Sequence, residues 1–325
     1  MRHSRRGFVG LMLTLAAGLR ASPALAAPLS SRPIRLVVPF GAGGVADLVA
    51  RSVAQKMSES MGQSIVVDNK PGAGGVVASD TVAKAPPDGH TLLLMSNGNA
   101  VSVGLFKSLP YDTTKDFAPI STLGYFDMAV LTASNSKFKT FTDLVAHAKA
   151  HPGQLNIGTI NVGSTQNLAG ELLKSSLGID AQVVPFNGTP AVVTALRGRQ
   201  VDVAVEILSP VLSQIEGKAM RALAVMGDKR SPSLPDVPTV AESGTPGFQV
   251  ASWNALAAPA KTPPDVIARL NQEARAALAS PEVKKRLQNL GVEPRGSTPQ
   301  EQARLLDSEI QRWSAVIQRA GIPKQ

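Results

Sequence analysis

The residues best placed to do chemistry lie in glycine-rich and hydroxyl-rich turns. Gly41-Ala42-Gly43-Gly44-Val45 follows one apolar run and Gly72-Ala73-Gly74-Gly75-Val76 follows the next, each ahead of a helical pattern. Glycine at such a place lets the backbone approach a ligand and leaves the first-turn N–H groups of the helix unblocked. Those groups, with the helix dipole, favour an anion. Tight strand-to-helix turns also need glycine. Two such loops in one half of the chain tip the first toward anion binding and leave the second as scaffolding. Gly163-Ser164-Thr165-Gln166-Asn167 is a polar counterpart, ahead of a helix whose apolar side carries Leu168, Leu172 and Leu173. Its hydroxyls and N–H groups can satisfy a carboxylate without a full positive charge, or can simply cap the helix. Pro185-Phe186-Asn187-Gly188 follows the next strand and could wall the same space. Three loops at strand C-termini, in two halves of the chain, describe a cleft.

The first loop also satisfies a different pattern. Gly41 to Ala46 reads as G-x-G-x-x-G/A, the dinucleotide fingerprint, and Asp68 ends the next strand where a ribose-binding acid would sit. An exported NAD(P)-dependent oxidoreductase is therefore the rival to a binding protein. Asp68 follows Gly41 by 27 positions, against about 20 in the fingerprint. Pro39-Phe40 puts an aromatic at the mouth of the loop. Catalytic sets are thin. His147 and His151 could share a helix face, but Ala148 stands where a zinc protease needs glutamate, so a solvated face is the simpler account. His90 lies in a turn entering a strand, and no Gly-x-Ser-x-Gly elbow occurs. No catalytic residue, metal or cofactor is assigned.

The elements that must position these loops alternate. Short apolar runs at residues 34–40, 64–68 and 91–95 read as buried strands, with helical patterns at 45–61 and 76–85 between them. A second set, beginning after Pro119, has strands at 128–132, 155–159, 182–184 and 201–205 and helices at 141–149, 166–177 and 191–196. Strand–helix–strand alternation predicts parallel pairing, and each set can make its own sheet. Residues 234–247 are rich in Pro and Gly and read as a long surface connection. A strand at 251–258 and helices at 265–279, from Ser280-Pro281-Glu282 to Gly291, and at 299–320 follow; these helices should pack back on the first sheet.

The first 26 residues read as a targeting segment. Arg2, Arg5 and Arg6 precede an apolar run from Phe8 to Leu19, and Ala24-Leu25-Ala26 resembles a signal-peptidase site. The run is shorter than the ~20 residues a membrane span needs. Ser4-Arg5-Arg6-Gly7-Phe8-Val9 also fits a twin-arginine signal, so both Sec and twin-arginine export stay open. Removing the segment takes out four arginines and lowers the formal charge from +9 to +5. The remaining basic residues are scattered among acids, which excludes the concentrated positive face of a nucleic-acid binder. With no cysteine, disulfides and thiol chemistry are excluded.

At these same residues the chain resembles the substrate-binding proteins of tripartite tricarboxylate transporters, the Bordetella uptake family. The resemblance runs from about Ser31 to Ala320. It rests on Pro39-Phe40-Gly41-Ala42-Gly43-Gly44-Val45-Ala46-Asp47, Asn69-Lys70-Pro71-Gly72-Ala73-Gly74-Gly75 and Pro87-Asp88-Gly89-His90-Thr91-Leu92, in order and spacing. Leu109-Pro110-Tyr111-Asp112, Lys115-Asp116-Phe117, Val184-Pro185-Phe186-Asn187-Gly188 and Asp236-Val237-Pro238-Thr239 extend it. It implies a periplasmic, two-lobed α/β binding fold of type II-like form. Each lobe would be a mostly parallel sheet flanked by helices, with residues 27–126 and 250–325 in one and 127–249 in the other. It further implies a small organic carboxylate or related solute as ligand, held by Phe40, Gly41, Ala42, Gly43 and Gly44 against Ser164, Thr165 and Asn167. Asn97 and Phe186 would flank the ligand, and Asp47 would order its loop rather than touch an anion. The implied partners are the membrane subunits of such a transporter; a sensor presenting its closed form to a membrane receptor is the alternative. The sequence departs from the family pattern at Asn167, where many relatives have histidine, at Ser102-Val103, where many have Asn-Pro, and at Phe186, where many have tyrosine. These positions lie near the implied cleft, so the resemblance carries the fold further than the ligand class.

Overall fold

Apolar runs bounded by glycine or polar residues become strands, and the amphipathic stretches between them become helices, in a computed structural model that describes residues 32–325. The targeting segment expected at residues 1–26 lies outside the described residues. The chain opens with β1 (Ile34–Val38), α1 (Val45–Met61), β2 (Ile65–Asn69), α2 (Val76–Ala83), β3 (Thr91–Ser96), α3 (Asn97–Leu105) and β4 (Phe117–Phe126). It continues with β5 (Met128–Ala133), α4 (Phe141–Ala150), β6 (Leu155–Ile160), α5 (Thr165–Leu177), β7 (Ala181–Phe186), α6 (Thr189–Arg197), β8 (Val203–Ile207), α7 (Leu212–Glu216) and β9 (Met220–Val225). It ends with β10 (Ser252–Pro259), α8 (Pro264–Ala279), α9 (Pro281–Asn289), β11 (Val292–Pro294) and α10 (Pro299–Arg319).

Two sheets result, ordered β11-β4-β10-β3-β1-β2 and β7-β6-β8-β5-β9. The alternation predicts mostly parallel sheets, and the parallel part of each is its strand–helix–strand unit: β2-β1-β3 in the first and β7-β6-β8 in the second. The other pairings are antiparallel. They involve the strands that carry the chain between sheets. β4 passes to β5 through the single residue Asp127, and β10 brings the chain back. Such strands reach their neighbours without a crossover helix, so nothing forces them parallel.

The sequence pattern places Pro119 as a break before the second set; it lies instead inside β4 of the first sheet, opposite Ala257. A register shift at Leu256/Ala257 accommodates it, as expected of a residue with no N–H to donate. Side chains from the C-terminal helices patch the irregular ladder. Gln302 accepts from the Ile120 N–H at 3.0 Å and donates to the Leu256 carbonyl at 3.0 Å, while Asn271 donates to the Ile120 carbonyl at 2.6 Å. These contacts place α8 and α10 on the first sheet. One face of that sheet buries Leu36, Val38, Val53, Met57, Leu270 and Leu287. The other face shares a core with the second lobe, in which Trp253 and Trp313 join Leu168 and Leu173 of α5. The long connection after β9 is tied down: Met226 donates to the Met128 carbonyl at 2.8 Å and Val250 to the Met226 carbonyl at 2.6 Å.

Candidate functional site

β1 and β3 are parallel neighbours, so the loop after β1 and Asn97 after β3 leave the same edge of the first sheet. In the first loop Phe40, Gly41, Ala42, Gly43 and Gly44 are exposed. Gly43 has φ +84°, a conformation that L side chains rarely adopt. Gly44 is the extended N-cap of α1 (φ −73°, ψ 164°), and no side chain caps the helix start. Asp47, 1% exposed, sits one turn in. Its Oδ2 accepts from the Gly43 N–H at 2.8 Å and from Arg51 Nε at 2.9 Å; its Oδ1 accepts from Asn69 Nδ2 at 2.9 Å. Asn69 also donates to the Phe40 carbonyl at 2.9 Å. Burial alone would raise the Asp47 carboxyl, but Arg51, the Gly43 N–H and Asn69 outweigh it and hold it below the ordinary aspartate value. Asp47 is thus a charged brace that fixes the shape of the loop.

The second lobe repeats this turn. Gly163 has φ +79°, and Ser164 is the extended N-cap of α5 (φ −69°, ψ 159°). The Gly163 N–H donates to Asn167 Oδ1 at 3.1 Å, the same four-residue reach as Gly43 to Asp47. Here the brace is neutral, and Asn167 Nδ2 donates to Thr159 Oγ1 at 3.2 Å. Ser164 Oγ accepts from the Asn167 N–H at 3.1 Å, so the capping suggested by the sequence is present. Thr165 Oγ1 accepts from Asn97 Nδ2 at 3.1 Å, a hydrogen bond from one lobe to the other. Asn97 Oδ1 in turn accepts from Trp313 Nε1 at 3.0 Å, which also donates to Glu309 Oε2 at 2.8 Å. A side chain at Gly163 would overlap Leu105 Cδ2 at the end of α3, so the lobes are in contact here.

The other glycine loop differs despite its near-identical sequence. Ala73–Gly75 forms a 3-10 turn with Gly74 at φ +62° and Gly75 at φ +96°. Where the first loop has Asp47, this one has Ala78, which cannot accept from the turn. A Cβ at Gly75 would lie 3.3 Å from Pro39 Cβ, so this loop buttresses the base of the first. Phe186 is half-buried at the end of β7, its ring beside Gly158 inside the second lobe.

The structure adds a group that the turn motifs do not reveal. Glu206, near the end of β8, is 0% exposed. Its Oε2 accepts from Gln166 Nε2 at 3.3 Å and from Thr189 Oγ1 at 3.1 Å, residues in the first turns of α5 and α6. Burial pushes its carboxyl up to about 7, against partial relief from Gln166, Thr189 and the Ile207 N–H. Its one sequence signal is a lone acid in the apolar strand Val203-Ala204-Val205-Glu206-Ile207.

Comparison with known proteins decides the family. The model of the tripartite tricarboxylate transporter family receptor matches residues 49–322. The chain belongs to this family. Among solved structures, this receptor resembles the periplasmic binding protein BugD (33% identity, TM-score 0.76, covering 90% of this chain and 99% of that one). It also resembles Rpa4515 of R. palustris solved with adipate (34% identity, TM-score 0.79, 91% and 99% covered). A third is MatC of Rhodopseudomonas palustris with bound malate (34% identity, TM-score 0.74, 89% and 99% covered). The receptor is therefore a solute-binding protein with the two-lobed periplasmic-binding fold. Asp68, the acid of the rival dinucleotide pattern, is ion-paired with Arg35 at 2.6 Å. His147, in the last turn of α4, and His151, just past its end, stack at 4.3 Å between ring centroids, with Lys137 Nζ 3.0 Å from His147 Nε2.

Proposed function

We propose that this receptor captures a small organic carboxylate or a related solute between its lobes, without turning it over, and delivers it to the membrane subunits of a tripartite tricarboxylate-type transporter. The observation that carries this reading is the matched pair of turns, residues 41–47 and 161–167. Each opens a helix at its own lobe, and the Asn97–Thr165 hydrogen bond ties the two lobes beside them. Helix N-termini favour anions, and one from each lobe suits a ligand with an acidic group at either end. The adipate and malate bound by relatives support the class.

In this reading Phe40, Gly41, Ala42, Gly43 and Gly44 meet the ligand from one side and Ser164 and Thr165 from the other. Asn97 and Phe186 flank it, and Asp47 and Asn167 hold the two turns. The lobes comprise residues 27–126 with 250–325, and 127–249, hinged where β4 passes to β5 and the chain returns to β10. Residues 1–26 act as an export signal, by the Sec or the twin-arginine route, cleaved after Ala26 to leave the mature protein in the periplasm.

The test is a thermal-shift screen of the mature protein against organic acids, amides, amino acids and NAD(P), since a ligand that binds only the folded state raises its melting temperature. A carboxylate should stabilise it. Stabilisation by NAD(P) and by none of the others overturns the reading in favour of an oxidoreductase. Ser164→Ala combined with Thr165→Ala should weaken binding without unfolding the protein, at the stability cost of one lost helix cap; full affinity removes this loop from the site.

A further inference from the structure

Glu206 sits where the second lobe gathers its helix starts. Gln166 and Thr189 reach its Oε2 from the first turns of α5 and α6, directly beside Thr165 and Gly188. The second carboxyl oxygen, Oε1, is buried and has no hydrogen-bond partner. A buried ionised carboxylate needs a cation or a full set of donors, and this one has neither. Its partners on α5, α6 and β8 are Gln166, Thr189 and the Ile207 N–H, and its register neighbour on β5 is Ala129; all are neutral. α6 begins at Gly188 with no side-chain cap, as α1 does at Gly44.

An ionised Glu206 at this place would repel an incoming carboxylate. A neutral Glu206 would carry a hydroxyl that can donate to it, in a short charge-assisted bond. We propose that Glu206 is a specificity residue whose neutral carboxyl donates through Oε1 to a ligand carboxylate, so that capture of the anion is coupled to uptake of a proton from solvent. This rests on the carboxylate reading above. The proton is held on Oε1 in the complex and returns to solvent on release; no other bond is made or broken. The elevation of the free carboxyl to about 7 fits this role, because the neutral form is then reached close to neutrality. Each binding event above that pH must draw in nearly one proton, while below it the acid is already neutral.

The experiment is titration calorimetry of the mature protein with succinate, adipate, malate and benzoate. It is run at about pH 6.5 and pH 8.5, in buffers of different protonation enthalpy. The expected result is affinity falling roughly tenfold per pH unit above about 7, with close to one proton taken up per ligand at the higher pH. Glu206→Gln keeps a donor without titrating. It should bind with equal affinity at both pH values and take up no proton. The proton count is read on the unmutated protein, so the result does not depend on the variant folding. Binding with the same affinity at both pH values and no proton uptake overturns this inference and leaves the carboxylate reading standing. Binding of none of these acids at either pH overturns both.

Discussion

In the first lobe the turn before α1 is held by the ionised carboxylate of Asp47; in the second, the turn before α5 is held by the neutral amide of Asn167. The backbones agree closely, with a left-handed glycine, an extended N-cap and a four-residue reach from glycine N–H to side-chain oxygen in both. The turn therefore requires an acceptor at that position, and charge is optional. Surroundings decide which form is tolerated. Asp47 has Arg51 and Asn69 to compensate its charge. Asn167 has only Thr159. A buried acid of the second lobe, Glu206, is set further back. The first-lobe turn thus carries a fixed charge, whereas the charge at Glu206 can vary.

The comparison is broken most forcefully at Asp47. Asp47→Ala strands the Gly43 N–H, Arg51 and Asn69 together, and should cost ~3 kcal/mol of unfolding free energy in urea. On the proposed reading it should also lose most affinity for the captured carboxylate. Asp47→Asn recreates the second-lobe brace and should cost only ~1 kcal/mol; if it costs as much as alanine, the charge and not the acceptor holds the turn.

Acidity gives the next test, because the two carboxyls respond in opposite directions. The Glu206 carboxyl lies at about 7 in the folded protein against an ordinary value of 4.5. Its contribution is present below the ordinary value and lost as pH rises through about 7. The unfolding free energy of wild type minus that of Glu206→Gln should therefore fall by ~3 kcal/mol from about pH 4.5 to 8. Asp47, held low, contributes above the ordinary aspartate value and loses its contribution as pH falls through its lowered one. A flat difference for Glu206 would show that its burial is relieved in solution.

Matched glycines sharpen the comparison further. Gly43→Ala meets open space and bears only backbone strain of ~1 kcal/mol. Gly163→Ala bears the same strain and also strikes Leu105 of the other lobe, for a total of ~2 kcal/mol. It should weaken ligand binding more than Gly43→Ala, and Leu105→Ala should restore part of the loss. Equal affinity in the two single variants would mean the lobes do not press together at this point when ligand is held. The smallest effect is expected at Thr165→Val, which removes the acceptor for Asn97. It should cost ~0.5–1 kcal/mol of binding free energy by calorimetry, and no change would make that interlobe bond incidental.

Much of the fold is written in local pattern. The helix at residues 45–61 and the strands starting at 34, 91, 128 and 155 emerge from periodicity because each is a buried or amphipathic segment with clear punctuation. β4 is obscured by Pro119 and Gly124, whose irregularity is repaired by Gln302 and Asn271 from distant helices. α3 is obscured by Asn97-Gly98-Asn99, poor helix formers held in place by a capping box between Ser96 and Asn99. The loops of the candidate site are visible as turns, but their kinship is not. Sequence identity pairs residues 41–45 with 72–76, whereas the backbone pairs 41–47 with 161–167. Only a glycine and an Asp or Asn four residues later are shared in the true match, too little to stand out. Glu206 matters through what surrounds it, and that is fixed only when β8, α5 and α6 come together.

The bond from Asn97 to Trp313 has an optical consequence. Trp313 is one of two tryptophans in the chain, and its indole N–H is divided between Asn97 and Glu309 in a site closed to water. Asn97 is the residue that also grips Thr165 across the cleft. In the proposed opening of the lobes, Asn97 would lose that grip and the electric field along the indole would change with it. The emission colour of this single ring becomes an intrinsic gauge of whether the receptor is shut, with Trp253→Phe isolating the signal and no dye attached.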